Sequence, residues 1–334
     1  MKVDLKRRNS KLHWLFYSFL SFIFLFTLVL ASGCTSQSKP TDGKLQVVTT
    51  IYPVYDLAKV IGGDKADVTM LVAPGVEPHD WEPTVSNLKA IGKAQVFLYN
   101  GAGMEPVQKL LTKDVLRQAL PVDLSKSVVV RPMEEEEVNL EADDRHTAAN
   151  HKDNHEAEHV HMDDPHIWLD PLNVEKEVDA VVAAFSKEDP ANAAYYAENG
   201  RKYKEQLQAL NQAYVDWAKT VKDKNLVVTH EAFGYLAAQY GFKQVGIMGI
   251  FPDTEPTPDK MARIVSFIKK NHVKAIFSEA LVSPKLADAI AKETGVHVYQ
   301  LNTVEALSKE DMAQGDTYLT LMRQNLKILQ EALH

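Results

Sequence analysis

Cysteine is nearly absent from this chain. Cys34 is the only one in 334 residues, so no internal disulfide can brace the fold. A basic excess is absent too: 37 Lys/Arg stand against 45 Asp/Glu, a formal net charge of −8. Proteins that hold a polyphosphate backbone need the opposite balance, so nucleic acid is set aside as a partner. The sequence also has no P-loop, no Gly-rich dinucleotide fingerprint and no internal heptad. Long apolar runs are scarce, and the clearest extends from about Leu12 to Leu30.

That run follows a basic segment containing Lys6, Arg7, Arg8 and Lys11, and it closes on Leu30-Ala31-Ser32-Gly33-Cys34. A positive start, an apolar core and a small-residue site read as a secretory signal. A single membrane anchor is the competing reading, because the run approaches the ~20 residues needed to cross a bilayer. The end of the run resembles the lipobox of bacterial lipoproteins, whose cysteine carries the lipid, although Ala31 stands at the usual leucine position. This implies a signal peptide over 1–33 and a lipidated tether over 34–44. The polar Thr35–Gly43 stretch has too little apolar surface to fold. The mature part is then expected on the outer face of the cytoplasmic membrane, or at the cell surface in a Gram-positive organism. Five Lys/Arg and one Asp lie in 1–33, so the mature charge becomes −12, which fits a cation ligand.

The remaining roughly 300 residues suggest two domains. From Leu45 short β-rich runs alternate with helical periods: strands at 45–50, 66–72, 94–100 and 127–130, helices at 52–63, 84–94 and 105–120. This alternation predicts an α/β fold with parallel sheets covered by helices. Fifty residues without a strand signal follow, with Asn173 as a candidate cap and Asp189-Pro190 opening a helix to about Lys222. Alternation then resumes, with strands at 225–230, 243–249, 273–279 and 296–302 and a last helix over 311–332. The expected organisation is an N-terminal βα lobe over 45–165, a connecting helical region over 166–224 and a C-terminal βα lobe over 225–334. Open parallel sheets bind ligands at the carboxyl ends of their strands, and here two such ends could face each other.

Residues 134–164 interrupt the first lobe with twelve Asp/Glu, two basic residues (Arg145 and Lys152) and five histidines, His146, His151, His155, His159 and His161. No apolar period supports a packed element, so a mobile surface loop is expected. His151, His155 and His159 are four apart and would share one helical face if metal ordered the segment. Other candidates fall at strand ends: His79 in the loop after 66–72, His166 after the acidic loop, His230 ending the 225–230 run, Glu279 ending the 273–279 run and Glu305 just beyond 296–302. One histidine at a strand end is usually a hydrogen-bonded structural residue. Three at matching positions in an exported chain point to a shared ligand.

TTIYPVYDLAKVIGGD (49–64), VEPHDWEP (76–83), DPHIWLDP (164–171) and THEAFGYLA (229–237) resemble the metal-binding lipoproteins of bacterial zinc- and manganese-specific ABC transporters. The resemblance spans about residues 45–330. It implies two lobes joined by a rigid helix, a metal cleft between them and one ligand from each of four loops: His79, His166, His230 and an acidic residue or water. NTVEALS (302–308) matches the fourth loop best, which places Glu305 ahead of Glu279. Three imidazoles and a carboxylate suit four-coordinate Zn²⁺, while manganese sites favour oxygen donors. Manganese-binding relatives carry a glutamate where this chain has His230, so zinc is expected and manganese is the alternative. Copper or nickel could also bind in vitro by the Irving–Williams order. Zinc-type relatives carry similar His- and acid-rich loops, so 134–164 is expected to collect zinc weakly for the cleft. The resemblance further implies a monomer that docks on an ABC permease with its ATPase and closes only modestly around metal. Because imidazoles must be neutral to bind, affinity should fall as pH drops through about 6.5.

Enzyme readings are weaker. His230-Glu231 begins like HExxH, but Gly234 occupies the second histidine's place. His159-Val160-His161-Met162-Asp163 is similar to the HxHxD of metallo-hydrolases, yet Asp164 stands where a histidine is wanted. Four closed ligands would also leave no open position for water. Surface adhesion with incidental metal binding is the other alternative.

Overall fold

The computed structural model describes residues 43–132, 163–252, 255–279 and 283–334. The expected signal peptide, Cys34, most of the tether and His146, His151, His155, His159 and His161 lie outside the described residues. Lys44–His334 form one compact unit.

Two sheets of four parallel strands organise it. The first contains β1 (Leu45–Thr49), β2 (Ala66–Met70), β3 (Val96–Tyr99) and β4 (Leu120–Asp123) in the order β2-β1-β3-β4. The second contains β5 (Asn225–Val228), β6 (Lys243–Gly246), β7 (Ala275–Ser278) and β8 (His297–Gln300) in the order β6-β5-β7-β8. The two orders are the same, so in each all-parallel sheet the direction of strand addition switches between the sheet's first and third strands. Central strands VFLY (96–99) and AIFS (275–278) are buried throughout. A parallel sheet covered by helices on both faces requires such continuous burial.

Helices follow from equally local causes. Tyr52–Gly62 has Pro53 in its first turn, buries Val54, Leu57, Ala58 and Ile61 and stops where Gly63 takes φ +51°. Asp170, rather than the expected Asn173, caps Pro171–Glu188, accepting from Leu172 N at 2.9 Å. Ala193–Ala218 then runs 26 residues, roughly 39 Å at 1.5 Å per residue, and joins the lobes. Its buried stripe of Tyr196, Gly200, Tyr203, Leu207, Leu210, Tyr214 and Trp217 keeps the three-to-four spacing of one helical face. Gly200 permits close approach to Pro171–Glu188, since a Cβ there would sit 2.8 Å from Val182 Cγ2.

The C-terminal helix Tyr318–Ala332 returns across this assembly. Tyr318 N donates to Asp56 Oδ2 at 3.2 Å, Tyr52 Oη to the Asp316 carbonyl at 2.7 Å and Tyr214 Oη to the Met322 carbonyl at 2.7 Å. One buried apolar cluster accordingly runs from Leu45 through Trp168 and Tyr214 to Leu333. The lobes thus share a core.

Three boundaries depart from the sequence expectation. Residues 105–120 form two single turns, Val107–Leu110 and Lys113–Leu116, instead of one helix. Thr112 caps the second turn by accepting from Val115 N, and Arg117 at φ +53° ends it. The fourth strand is therefore Leu120–Asp123, not 127–130, because that segment pairs with β3. The expected 311–332 helix is split into Lys309–Gln314 and Tyr318–Ala332 by Gly315 at φ +77° and a Thr317 capping box.

Candidate metal centre

Four loops at the carboxyl ends of strands meet between the two sheets. The loop after β2 presents His79 and is tied down where Gly75 N donates to the Leu307 carbonyl at 2.8 Å. His166 stands beside the end of β3, where Asn100 Nδ2 donates to the Pro165 carbonyl at 2.8 Å. His230 lies two residues beyond β5 in extended backbone (φ −120°, ψ 138°), not within the strand as expected. Glu305 follows β8 after Val304, whose φ of +61° is an outlier for a β-branched residue. Asn302 Oδ1 accepts from Val304 N at 2.7 Å, and Trp168 Nε1 donates to the Thr303 carbonyl at 2.7 Å. Tyr52 N donates to the Glu305 carbonyl at 3.3 Å. The strained turn is thus held from both lobes, and it aims the carboxylate at the histidines.

One ligand atom from each of His79, His166, His230 and Glu305 lies within 4.8 Å of all the others. His79 Nε2 and His166 Nε2 are 3.2 Å apart, and Glu305 Oε2 lies 3.6 Å and 3.4 Å from them. Four donors at about 2.0–2.1 Å from a tetrahedral ion would be separated by roughly 3.3 Å, so these three contacts have the spacing of tetrahedral edges. Glu305 is 2% exposed, yet its Oε2 makes no hydrogen bond. Its nearest partners are imidazole nitrogens at 3.4 and 3.6 Å, too long for good hydrogen bonds, a spacing that suits a shared cation between them. The donor set and its dimensions fit Zn²⁺.

Electrostatics sharpen the arrangement. Burial pushes the Glu305 carboxyl upward, but His166 and His79 beside it outweigh burial and hold it well below 4.5, so it stays ionised. Burial likewise opposes charge on His166, yet Asp164 and Glu305 prevail and raise it to about 9. His79 is driven down, chiefly by burial. His230 is raised because Glu279 overcomes the burial of the ring. Glu77, at the mouth, is pushed up to about 7 by burial and then by the charge on Glu305.

Outside these four, the neighbours have distinct tasks. Asp164 Oδ1 takes His166 Nδ1 at 2.8 Å and His166 N at 3.0 Å. Glu279 does not join the group; its Oε2 sits 3.1 Å from His230 Nδ1, behind the ring. Such carboxylates fix the tautomer and direction of a ligand imidazole. His230 Nε2 lies 2.5 Å from the Ile250 carbonyl, a hydrogen bond that this nitrogen must give up, with its proton, before it can hold a metal, and the Phe251 ring stands edge-on to His79 at 5.2 Å. Glu231 points elsewhere: the Cβ position at Gly246 lies 2.0 Å from its Cγ, and it lines a separate cavity with Arg131, Asp164 and Gln244. Of the HExxH-like start, His230 therefore reaches this centre and Glu231 does not. Sequence reasoning missed Asp164, Glu77 and Ile250. Only Asp164 left a signal, its place two residues before a candidate ligand.

Comparison with known proteins places the chain in a family. Residues 47–332 match the family model described as zinc-uptake complex component A, periplasmic (ZnuA). The chain is 40% identical over 312 residues to the high-affinity zinc uptake system protein ZnuA of Bacillus subtilis, covering 92% of this chain and 94% of that one. It is 37% identical over 312 residues to the zinc-binding lipoprotein AdcA of Streptococcus pneumoniae, covering 91% of this chain but 60% of AdcA. The crystal structure of Zn(II)-bound AdcA superposes with a TM-score of 0.71 at 34% identity, over 87% of this chain and 58% of that one. The laminin-binding protein Lmb of Streptococcus agalactiae, described as bifunctional with adhesin and metal transporting activity, superposes with a TM-score of 0.73 at 31% identity over 87% of this chain and 100% of Lmb. On a match that covers both sheets and all four converging loops, the chain belongs to the ZnuA family of zinc-uptake components.

Proposed function

We propose that this chain is the extracytoplasmic receptor of a zinc importer. It captures one Zn²⁺ with His79, His166, His230 and Glu305 and delivers it to an ABC permease driven by its ATPase. The observation that supports this most is the convergence of those side chains, drawn from four loops and two sheets, within 4.8 Å. Glu305 supplies the charge and the three rings supply nitrogen, which favours zinc over manganese. Glu279 acts behind His230 instead of binding metal. Four protein donors would close the coordination shell and leave no site for an activated water, which speaks for transport over catalysis.

Cys34 would carry the lipid that holds the receptor at the membrane as a monomer. The domain division proposed with it is a lobe over 45–165, connecting helices over 166–224 and a lobe over 225–334. The histidines of 134–164 would gather zinc weakly for the cleft. Deleting that segment should leave cleft affinity unchanged and slow growth under zinc starvation; unimpaired growth would rule out the collecting role. The primary test is elemental analysis of protein purified without added metal. One zinc per chain, lost in His166→Ala and in Glu305→Ala, is expected, whereas manganese in its place would sink the zinc assignment. Adhesion is a second reading, favoured by the similarity to Lmb. Laminin binding by a His79→Ala/His166→Ala/His230→Ala variant would test it separately.

A further inference from the structure

Every imidazole of the centre has a second ring nitrogen, and the three are not treated alike. That of His166 meets Asp164 at 2.8 Å, and that of His230 meets Glu279 at 3.1 Å. His79 Nδ1 is buried and has no hydrogen-bond partner among the described residues. Its side chain is 2% exposed, so bulk water does not serve it. A metal-bound histidine nearly always donates its other N–H, because that bond sets the tautomer and orients the ring.

Glu77 stands two residues before His79 in the same loop. Its Oε1 accepts from the His79 backbone N–H at 3.3 Å, a long contact. Glu77 and His79 also share the wall of a cavity of about 610 Å³ that opens outward past Asp80 and Glu255. Within one histidine the backbone nitrogen and Nδ1 are close neighbours. A modest rotation of the Glu77 side chain therefore carries a carboxylate oxygen from one donor to the other.

We propose that Glu77 is the positioning carboxylate of His79, accepting its Nδ1–H once zinc occupies Nε2. This inference rests on the zinc-receptor reading above. It gives each of the three imidazoles a carboxylate of its own: Glu77 for His79, Asp164 for His166 and Glu279 for His230. It also makes His79 the ligand that is fixed last. Before loading, His166 and His230 are already held by their partners, while His79 stands at the mouth with its Nδ1 free to be claimed. Zinc then orders the Glu77–His79 pair, and loss of that bond is the step that frees the ion.

The experiment uses the full mature chain loaded with Zn²⁺. The dissociation rate is followed by stopped flow into excess chelator, and ¹⁵N-histidine spectra record the imidazole N–H protons. Glu77→Ala should still bind one zinc but release it about 10- to 100-fold faster, the usual scale for removing such a partner. The loaded wild type should show three protected Nδ1–H signals, and Glu77→Ala two. Glu77→Gln keeps an acceptor oxygen without the charge, so its release rate should fall between the two; it also decides the matter if the alanine variant does not fold. Glu82→Ala, on the same loop, should release zinc at the wild-type rate. A Glu77→Gln rate equal to wild type, three surviving N–H signals in Glu77→Ala, or an equal effect from Glu82→Ala would each overturn the inference. A wild type that binds no zinc would overturn the receptor reading instead.

Discussion

Proton release on zinc binding is the most direct consequence of the centre's electrostatics. In the metal-free protein burial disfavours charge on His166, but Asp164 and Glu305 raise the ring to about 9. Zinc can bond Nε2 only when that nitrogen carries no proton, so below about pH 9 binding must expel one. The sign is fixed: apparent affinity falls as pH falls, tenfold per pH unit from this group alone. Between about pH 9 and 7 the loss is on the order of 100-fold. This lies well above the range around 6.5 expected for an ordinary imidazole. His230, raised by Glu279 against its burial, adds a second proton below its own value, and His79, lowered chiefly by burial, adds none near neutrality. Titration calorimetry at about pH 7 in buffers of different ionisation heat gives the number of protons released as the slope of observed heat against buffer heat. One to two protons are expected. Asp164→Asn removes the hydrogen-bonded charge that outweighs burial, so its slope should shrink toward the His230 contribution. A slope near zero in the wild type, with affinity constant from about pH 7 to 9, would refute the argument.

Further outcomes follow from contacts elsewhere. Glu305→Gln replaces the anionic donor and should weaken zinc binding more than Glu279→Gln, for which about 10- to 100-fold is expected from a misaligned His230; competition with a fluorescent chelator ranks them. Trp168→Phe removes the donor to the Thr303 carbonyl, a 2.7 Å bond, and should cost about 1–3 kcal/mol in denaturant unfolding while weakening zinc binding through Glu305. Glu177 is buried with its Oε1 unpartnered, and burial, then Asp170, raises it from 4.5 to about 8. A raised carboxyl contributes stability below its unfolded value that is lost as pH rises through about 8. Glu177→Gln should therefore be stabilising by up to about 5 kcal/mol near pH 8.5 and nearly neutral near pH 5, as read from thermal melts.

Much of the architecture was legible because it is local. Alternating β-rich runs and helical periods place seven of the eight strands, and Gly63 and Asp189-Pro190 punctuate the helices. Where boundaries shifted, the deciding term was not local. Residues 105–120 have a helical apolar period, yet Leu120–Asp123 leaves it to pair with Val96–Tyr99, since a central strand with an unpaired edge costs more than a short helix gains. The Asp170 cap was available in the sequence, but Asn173 competed for it, and only the backbone shows Leu172 N turned toward Asp170.

The candidate ligands were legible in residue type and position: His79 and His230 beyond strands, His166 after the acidic loop, and two acidic candidates near the last strands. The resemblance of NTVEALS to the family's fourth loop put Glu305 ahead of Glu279, but strand-end position alone could not decide which carboxylate enters the centre. Glu279 and Glu305 are equivalent by spacing, both at strand ends, and the difference arises from direction. Val304 at φ +61°, pinned through Asn302 and Trp168, turns Glu305 inward, while Glu279 leaves β7 behind His230. Protonation was equally out of reach, because a ring's charge depends on what burial and folding set against it. Composition and periodicity determine strands, helices and donor types, since these depend on a few neighbouring residues. The convergence of four loops, the strain that aims one of them and the field around each imidazole belong to contacts between residues hundreds of positions apart.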